Sequence, residues 1–147
     1  MRTILCIVFF SFIINTYGQT DKVLGVWLSE EKTGKVEIYK KADKYFGKVV
    51  WISPSKYVNG EPKKDVENPD VKLRTRSVLG IENLKNFVYD ADDKEWDNGT
   101  IYDPQNGTTY DCYMWFEDNN FNTLFIRGYV GFSLIGRTTE WTKSSLQ

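Results

Sequence analysis

The amino-acid sequence predicts an all-β protein of about eight antiparallel strands, closed or nearly closed into a small barrel. Turn-forming Gly, Asn, Asp and Pro residues recur about every eight to twelve positions, which is typical of β-sandwiches and barrels. Between these turns, no stretch of about ten residues repeats its apolar side chains with the period of a helix. Aromatic residues make up 16% of the chain, which is enough for a core stabilised by packing alone.

Residues 1–18 are predicted to be a signal peptide. Arg2 supplies a positive charge, and the apolar run from Ile4 to Ile14 is too short to span a bilayer as a helix. Small residues precede Gln19, so cleavage is expected before Gln19. The alternative, a short buried helix of the domain, is disfavoured because the run has no polar face. We therefore expect a secreted or periplasmic protein.

The remaining 129 residues form one predicted barrel domain, residues 19–147. They carry 18 basic and 20 acidic side chains, a balance that gives no electrostatic footprint for nucleic acid. No transmembrane segment is expected after cleavage. Cys112 is the one cysteine left, so no disulfide is expected within the chain.

Eight strands are predicted between the turns. Three of the four prolines gather in Ser53–Asp70, which we interpret as one long loop between the third and fourth strands. Its return, Val71–Ile81, is either a short helix or an irregular strap. Asn106-Gly107 supplies the positive φ of a hairpin turn. The strands are Val23–Ser29, Lys35–Lys41, Tyr45–Ile52, Leu84–Asp90, Glu95–Tyr102, Thr108–Glu117, Phe121–Val130 and Ser133–Thr142.

Single residues predict two pairings between strands. Gly25-Val26-Trp27 opens the first strand and Arg137 lies in the last, which resembles the pairing that closes small calycin barrels. The resemblance implies that the guanidinium lies across the Trp27 indole and seals the closed end. In the hairpin between Thr108 and Val130, Asp111 is expected to form a cross-strand ion pair with Arg127.

The same hairpin has two different faces. One face is apolar and is expected to fill the barrel, and it contains Cys112, Met114, Phe116, Leu124 and Ile126. The other carries Tyr113, Trp115, Phe125 and Tyr129. Since bulky aromatic residues fill a narrow barrel, we expect any binding site to be shallow and to lie at the open rim.

An ordered set of motifs covers nearly the whole mature chain. It resembles the bacterial exported family catalogued as domain of unknown function 2147. The resemblance implies an exported, lipocalin-like barrel with no assigned activity, and no catalytic residue can be carried over from it. The motifs are Gly47-Lys48-Val49-Val50-Trp51, Asp65-Val66-Glu67-Asn68-Pro69-Asp70, Leu73-Arg74-Thr75-Arg76, Leu79-Gly80, Gly99-Thr100-Ile101-Tyr102-Asp103-Pro104, Asn106-Gly107-Thr108-Thr109-Tyr110, Leu124-Phe125-Ile126-Arg127-Gly128-Tyr129-Val130-Gly131 and Gly136-Arg137-Thr138.

The chain contains no histidine, which excludes Ser-His-Asp and Cys-His catalysis and histidine-based zinc sites. Carboxylate chemistry of the glycoside-hydrolase kind remains open, because Asp97, Asp103, Asp111 and Glu140 lie on or beside predicted strands. These acids have no recognisable spacing signature, so an enzyme ranks third among the functions considered. No cofactor and no metal is expected.

A polar cluster follows the third strand, and two interpretations of it are open. Paired arginines suit the recognition of a carboxylate or phosphate, because the planar guanidinium binds such groups through two hydrogen bonds. In the preferred alternative, the acids cap the loop and the arginines attach it to the barrel rim. The candidate ligand-binding residues are Trp51, Asp65, Asn68, Asp70, Arg74 and Arg76.

Two functions therefore lead. The first is a binding module for a small anionic or amphipathic molecule, with its site at the rim near Trp51, Arg74 and Arg76. The second is an interaction or structural protein of the cell envelope, whose barrel is filled by its own aromatic residues and whose rim loop docks a partner. A hollow interior would favour the first function.

Overall fold

A computed structural model describes residues 17–147. Residues 1–16, which hold most of the predicted signal peptide, lie outside the described residues. The described chain begins with a short helix, α1 (Tyr17–Thr20), and a 3-10 helix, Asp21–Val23. Ten strands follow: β1 Gly25–Leu28, β2 Gly34–Lys41, β3 Lys44–Ile52, β4 Tyr57–Val58, β5 Glu61–Pro62, β6 Glu82–Asp90, β7 Glu95–Asp103, β8 Thr108–Trp115, β9 Thr123–Tyr129 and β10 Gly136–Ser144.

Eight of these strands close into an antiparallel barrel, in the order β1-β10-β9-β8-β7-β6-β3-β2. This confirms the predicted fold class, and every barrel strand begins and ends within three residues of its predicted bounds. The pattern of turns was sufficient because neighbouring barrel strands are joined by short hairpins, apart from the connection between β3 and β6.

Residues 53–81, here called the rim segment, make that long connection. The segment contains two 3-10 helices, Pro54–Lys56 and Val71–Leu73, and the small β4-β5 sheet. The return is thus a single short 3-10 turn followed by an irregular strap, which combines the two predicted alternatives. Backbone hydrogen bonds between Val49 and both Gly80 and Ile81, each 2.8 Å, attach the end of the strap to β3.

One end of the barrel, called here the closed end, is filled by aromatic side chains. The Trp96 ring lies 5.5 Å from Phe116 and 6.2 Å from Tyr45, between ring centroids, and Phe116 lies 5.8 Å from Trp27. The 3-10 helix at Asp21–Val23 covers this end, because the Trp27 indole N–H donates to its last carbonyl, at 2.8 Å. Trp27, Tyr45 and Trp96 are buried, and the half-buried Phe116 packs against them, so these side chains form a solid floor.

The predicted contact between Trp27 and Arg137 is wrong, although β1 and β10 do pair. Trp27 lies opposite Lys143 in the register, and the Lys143 ammonium is 4.4 Å from the indole centroid. Arg137 is the second residue of β10 and lies six residues before Lys143, which is about 20 Å along a strand. Its guanidinium forms an exposed ion pair with Glu30 at 3.1 Å instead.

The hairpin of β8 and β9 has the predicted faces but a different register. Asp111 lies opposite Tyr129, and Tyr113 lies opposite Arg127. Asp111 and Arg127 therefore both lie on the outer face, but Arg127 is two residues along β9 from the position opposite Asp111. Between them no ion pair forms: Arg127 donates to the Ser133 carbonyl at 2.7 Å and to the Thr138 hydroxyl at 3.0 Å.

The apolar face of the same hairpin points inward, as predicted. Met114 lies opposite Ile126 in the register, and Cys112, Met114, Leu124 and Ile126 are all buried. Phe116, the fifth predicted member of this face, follows the end of β8 and is half-buried against the core. Burial raises the pKa of the Cys112 thiol well above its ordinary value. A core thiol of this kind is protonated and unreactive.

Within residues 17–147, no helix has the length and apolar character needed to cross a membrane.

Candidate functional site

The end of the barrel opposite the aromatic floor, called here the open end, contains a cavity of about 580 Å³. It lies between the strands and the rim segment. A volume of this size is within the range of small-molecule sites in proteins. Its inner wall is mainly apolar and includes Val36, Val49, Ile52, Val78, Ile101, Ile126 and Trp141.

The cavity exists because bulky and small side chains are separated along the barrel axis. At the closed end, the inward positions hold the aromatic residues of the floor. Toward the open end they hold branched aliphatic residues, Gly128 and Thr139, which leave space between the walls. The sequence-based expectation of a filled barrel with only a shallow site is therefore corrected: aromatic side chains fill the closed end, whereas those at the open end, such as Tyr102 and Trp141, line the cavity without filling it.

A buried amide side chain, that of Asn83, lies among these apolar walls. β3 and β6 pair Gly47 with Leu84 and Lys48 with Glu82, which leaves Asn83 as an extra residue in β6. A β-bulge of this kind redirects a side chain, and Asn83 lines the cavity while only 8% of its surface is exposed. Among the described residues, its Oδ1 has no hydrogen-bond partner.

Charged side chains surround the mouth of the cavity. The ion pair of Arg137 with Glu30 is one part of this ring. The carboxylate of Asp103 accepts a hydrogen bond from the Gln105 N–H at 2.8 Å, so it caps the turn between β7 and β8. The lining has equal numbers of basic and acidic side chains. The basic residues are Lys56, Lys63 and Arg137, and the acidic residues are Glu30, Glu31 and Asp103.

A buried carboxylate attaches the rim segment to the wall of the cavity. Asp65 is fully buried, and its Oδ1 accepts a hydrogen bond from the Tyr102 hydroxyl at 2.6 Å. Its Oδ2 accepts from the Asn68 amide at 2.8 Å and pairs with the Arg76 guanidinium at 2.8 Å. Because Tyr102 lies in β7 and lines the cavity, this network joins the rim segment directly to the wall.

The network also changes the acidity of Tyr102. Burial, and then the hydrogen bond to Asp65, raises the pKa of Tyr102 to about 12. The hydroxyl therefore stays protonated and remains a donor to the carboxylate at neutral pH. Tyr102 thus contributes to both the attachment of the rim segment and the cavity wall.

The residues predicted to bind a ligand are distributed over three places. Asp65, Asn68 and Arg76 form the network just described. Arg74 donates to the Asn68 carbonyl at 2.7 Å, and Asp70 accepts from the Lys72 N–H at 3.0 Å as the cap of a 3-10 helix.

Trp51 lies on the outer face of β3, where the Lys35 ammonium is 5.5 Å from its ring centroid. None of the six predicted residues lines the cavity. Their hydrogen bonds fit the alternative in which they attach and cap the loop, and a ligand-binding role for them stays a prediction.

Sequence reasoning missed Asn83 and the cavity wall. The sequence did contain a signal for the wall. In an antiparallel barrel, alternate hairpins lie at the same end, so the order of the strands places Trp27, Tyr45 and Trp96 together at one end. The inward aliphatic residues of the wall then lie toward the other end. Asn83 had no such signal, because a bulge is a property of the pairing of two strands rather than of one.

The acids considered for hydrolysis are not brought together. Of the four, Asp103 alone lines the cavity, while Asp111 and Glu140 are exposed on the outside. In residues 17–147, no cluster of three or more His, Cys, Asp or Glu side chains is arranged to hold a metal ion. The site therefore offers a shaped apolar space with one buried amide rather than a catalytic pair.

The closed eight-stranded barrel, the 3-10 helix over its floor and the open cavity define a lipocalin-like protein. A solved structure with this architecture is similar to it over 84% of both chains, with a TM-score of 0.71 and 22% sequence identity; it is described as protein HP1028 from the human pathogen Helicobacter pylori, which belongs to the lipocalin family. At this identity, the likeness concerns the fold.

The chain belongs to the family described as "Uncharacterized protein conserved in bacteria (DUF2147)", whose family model matches residues 25–143. This confirms the resemblance inferred from the sequence motifs. No curated protein matches the sequence.

Proposed function

We propose that this protein binds a small amphipathic molecule inside the barrel, in the periplasm or outside the cell. The observation that carries the proposal is the cavity of about 580 Å³, with apolar walls, a solid floor and one open end. Burial of an apolar body in such a space is favourable by about 25 cal/mol for each Å² removed from water.

The charges at the mouth of the cavity indicate which kind of polar group the proposed ligand carries. Three basic and three acidic side chains belong to the lining, and Arg137 is already paired with Glu30. Such a balance gives no net attraction for an anion. We therefore favour a neutral polar group over the anionic group expected from the two arginines of the rim segment.

Trp141 provides an intrinsic reporter of binding, because its buried indole lines the cavity. Titration with lauryl alcohol should change the tryptophan fluorescence saturably, and lauric acid should bind more weakly at neutral pH. The change should disappear in Trp141→Phe and persist in Trp51→Phe, since Trp51 does not line the cavity.

A pair of matched variants tests the location of the site. Thr139→Phe adds a ring at a cavity-lining position of β10, whereas Thr142→Phe adds the same ring at an exposed position of the same strand. We expect Thr139→Phe to abolish binding and Thr142→Phe to leave it unchanged, with both variants folded by circular dichroism. Equal binding by the two would place the ligand elsewhere.

A second candidate function, attachment of the rim to a lipid surface, is favoured by the loop between β9 and β10. Four of its apolar side chains are more than half exposed, namely Val130, Phe132, Leu134 and Ile135. Exposed apolar groups gathered in one loop mark interaction surfaces. Lys56 and Lys63 lie on the same rim and would face anionic headgroups.

Sedimentation with vesicles of phosphatidylethanolamine and phosphatidylglycerol tests this second function. Leu134→Ser, in the loop, should reduce the bound fraction. Leu146→Ser, which changes an exposed leucine beyond the last strand at the closed end, should not. If the parent protein stays in the supernatant, the loop does not serve membrane attachment.

A further inference from the structure

Four aromatic side chains contact one another on the outer face of β8 and β9, and we call them the outer aromatic patch. The Trp115 ring stacks on Tyr113 at 5.3 Å and on Phe125 at 5.5 Å, and Tyr113 lies 6.1 Å from Tyr129, between ring centroids. All four are half-buried, so part of each ring remains open to solvent. Only Tyr129, at the edge of the patch, also lines the cavity.

Carboxylates lie around the outer aromatic patch. Three of them occupy positions directly opposite members of the patch in the strand register: Glu95 opposite Trp115, Asp111 opposite Tyr129 and Glu140 opposite Phe125. A fourth, Glu117, accepts a hydrogen bond from the Trp115 indole N–H at 3.2 Å. Burial, and then the charges of Asp97 and Asp111, raises the pKa of Tyr129. Within residues 17–147, none of these carboxylates forms an ion pair.

The cation that lies within the patch is already engaged. Arg127 donates from its guanidinium to the Ser133 carbonyl and the Thr138 hydroxyl. In other parts of the described chain, six aromatic rings each have a cationic side chain of the protein close to them, such as Trp51 with Lys35. Residues 17–147 place no such cation over the four rings of the patch. Its rings and carboxylates are thus left to attract a cation from another molecule.

The spacing of the patch fits an extended peptide. Outward positions on a strand recur every two residues, about 6.6 Å apart, and Asp111, Tyr113 and Trp115 occupy three such positions of β8. Alternate side chains of an extended peptide have the same spacing. Arginine suits both kinds of group, because its guanidinium stacks on aromatic rings and binds carboxylates through two hydrogen bonds. The negative charge disfavours nucleic acid and anionic lipid as occupants.

We propose that the outer aromatic patch docks an extended, arginine-containing segment of a partner protein. The guanidinium groups of this segment lie on the exposed rings, and the carboxylates at the margin of the patch pair with them. Tryptophan and tyrosine are frequent energetic centres of protein interfaces, which fits the central place of Trp115 and Tyr113. This docking does not depend on small-molecule binding in the cavity, because Trp115, Tyr113 and Phe125 do not line it.

Two matched peptides test the inference. The first is fluorescein-labelled Arg-Thr-Arg-Thr-Arg-Thr, with an amidated C-terminus. In the second, each arginine is replaced by citrulline, which keeps the shape of the side chain but carries no charge. By fluorescence anisotropy in low-salt buffer, we expect the full-length protein to bind the arginine peptide saturably and roughly tenfold more tightly than the citrulline peptide.

Two pairs of variants locate the binding surface. Trp115→Thr should weaken binding of the arginine peptide roughly tenfold, whereas Trp51→Thr, which changes a tryptophan that has its own lysine, should not. The double variant Glu95→Gln with Glu140→Gln keeps the rings and should weaken binding about fivefold. Glu37→Gln removes an exposed carboxylate from β2 and should leave the affinity unchanged. Circular dichroism checks that each variant is folded.

The possible results are distinguishable. Equal binding of the two peptides, binding of neither, or unchanged binding by a folded Trp115→Thr overturns the inference. If Trp115→Thr does not fold, the double carboxylate variant decides, and unchanged binding by it overturns the inference.

Two further results would assign the patch to another occupant and would also overturn the inference. The first is free arginine that binds as tightly as the peptide, which indicates a small cation. The second is a dimer of the parent protein in sedimentation velocity that Trp115→Thr dissociates, which indicates a second copy of the chain.

Discussion

The ammonium of Lys143 lies 4.4 Å from the centroid of the Trp27 ring, and the same group donates to the Leu24 carbonyl at 2.6 Å. Trp27 is fully buried, so the cation covers an indole at the junction of the first and last strands. Partial burial, and secondarily the charge of Lys22, lowers the pKa of Lys143. The barrel is thus closed at this junction by strand pairing and by a cation–π contact.

Replacement of Lys143 should weaken this junction. We expect Lys143→Met, which keeps an apolar stem but removes the charge, to lower the free energy of unfolding by about 1 kcal/mol in urea titrations. Arg137→Ala should change it by less than about 0.5 kcal/mol, because its ion pair with Glu30 is exposed. The reverse order of the two effects would contradict the closure described here.

The buried carboxylate of Asp65 gives a second prediction. Asp65→Ala leaves Arg76, Tyr102 and Asn68 without their shared acceptor, so we expect a loss of about 2–4 kcal/mol in the free energy of unfolding. Asp70→Ala removes only an exposed cap and should cost about 1 kcal/mol or less. Similar losses in both variants would show that the network does not hold the rim segment.

Tyr102 makes the stability depend on alkaline pH. Its pKa is raised from 10.0 to about 12, so the folded state keeps the phenolic proton more tightly than the unfolded state. This contribution is fully present below pH 10 and is lost as the pH rises through about 12. Urea midpoints measured across this range should fall less steeply in Tyr102→Phe than in the parent, and identical slopes would contradict the assignment.

Substitution of two glycines with positive φ distinguishes the cost of backbone strain from the cost of a steric clash. Gly107 has φ +72°, and a Cβ added there would lie 1.9 Å from the Glu67 carbonyl oxygen, whereas Gly131 has φ +75° and open space around it. Gly131→Ala should cost about 1–2 kcal/mol through strain alone. Gly107→Ala should cost clearly more, and equal losses would mean that the turn and the rim segment are not in contact.

The eight strands could be read from the sequence because turn residues and side-chain alternation are local. The site could not, since it depends on which strands meet and in what register. The contact of Arg137 with Trp27 is what the resemblance to small calycin barrels implies, but Lys143 occupies the position paired with Trp27. The bulge at Asn83 arises from a shift between β3 and β6, and neither strand shows it alone.

The cavity escaped prediction for a different reason. The amino-acid composition gives the number of aromatic residues but not their positions along the barrel axis. The floor around Trp96 uses many of them, while Ile101 and Ile126 face the open space. The order of the hairpins determines at which end of the barrel each inward residue lies. If each inward residue is placed in this way, the sequence predicts one filled end and one hollow end.

Because Tyr102 is both a wall of the cavity and the donor to Asp65, the occupancy of the barrel and the order of residues 53–81 are thermodynamically linked. A molecule that packs against Tyr102 favours the conformation in which its hydroxyl meets the carboxylate, and so it also slows local opening of the rim segment. Amide hydrogens of this segment, such as the Asp65 N–H bonded to the Arg76 carbonyl at 3.0 Å, should then exchange more slowly when the cavity is filled. By the same linkage, conditions that loosen the rim segment, such as alkaline pH, should lower the affinity for the proposed ligand.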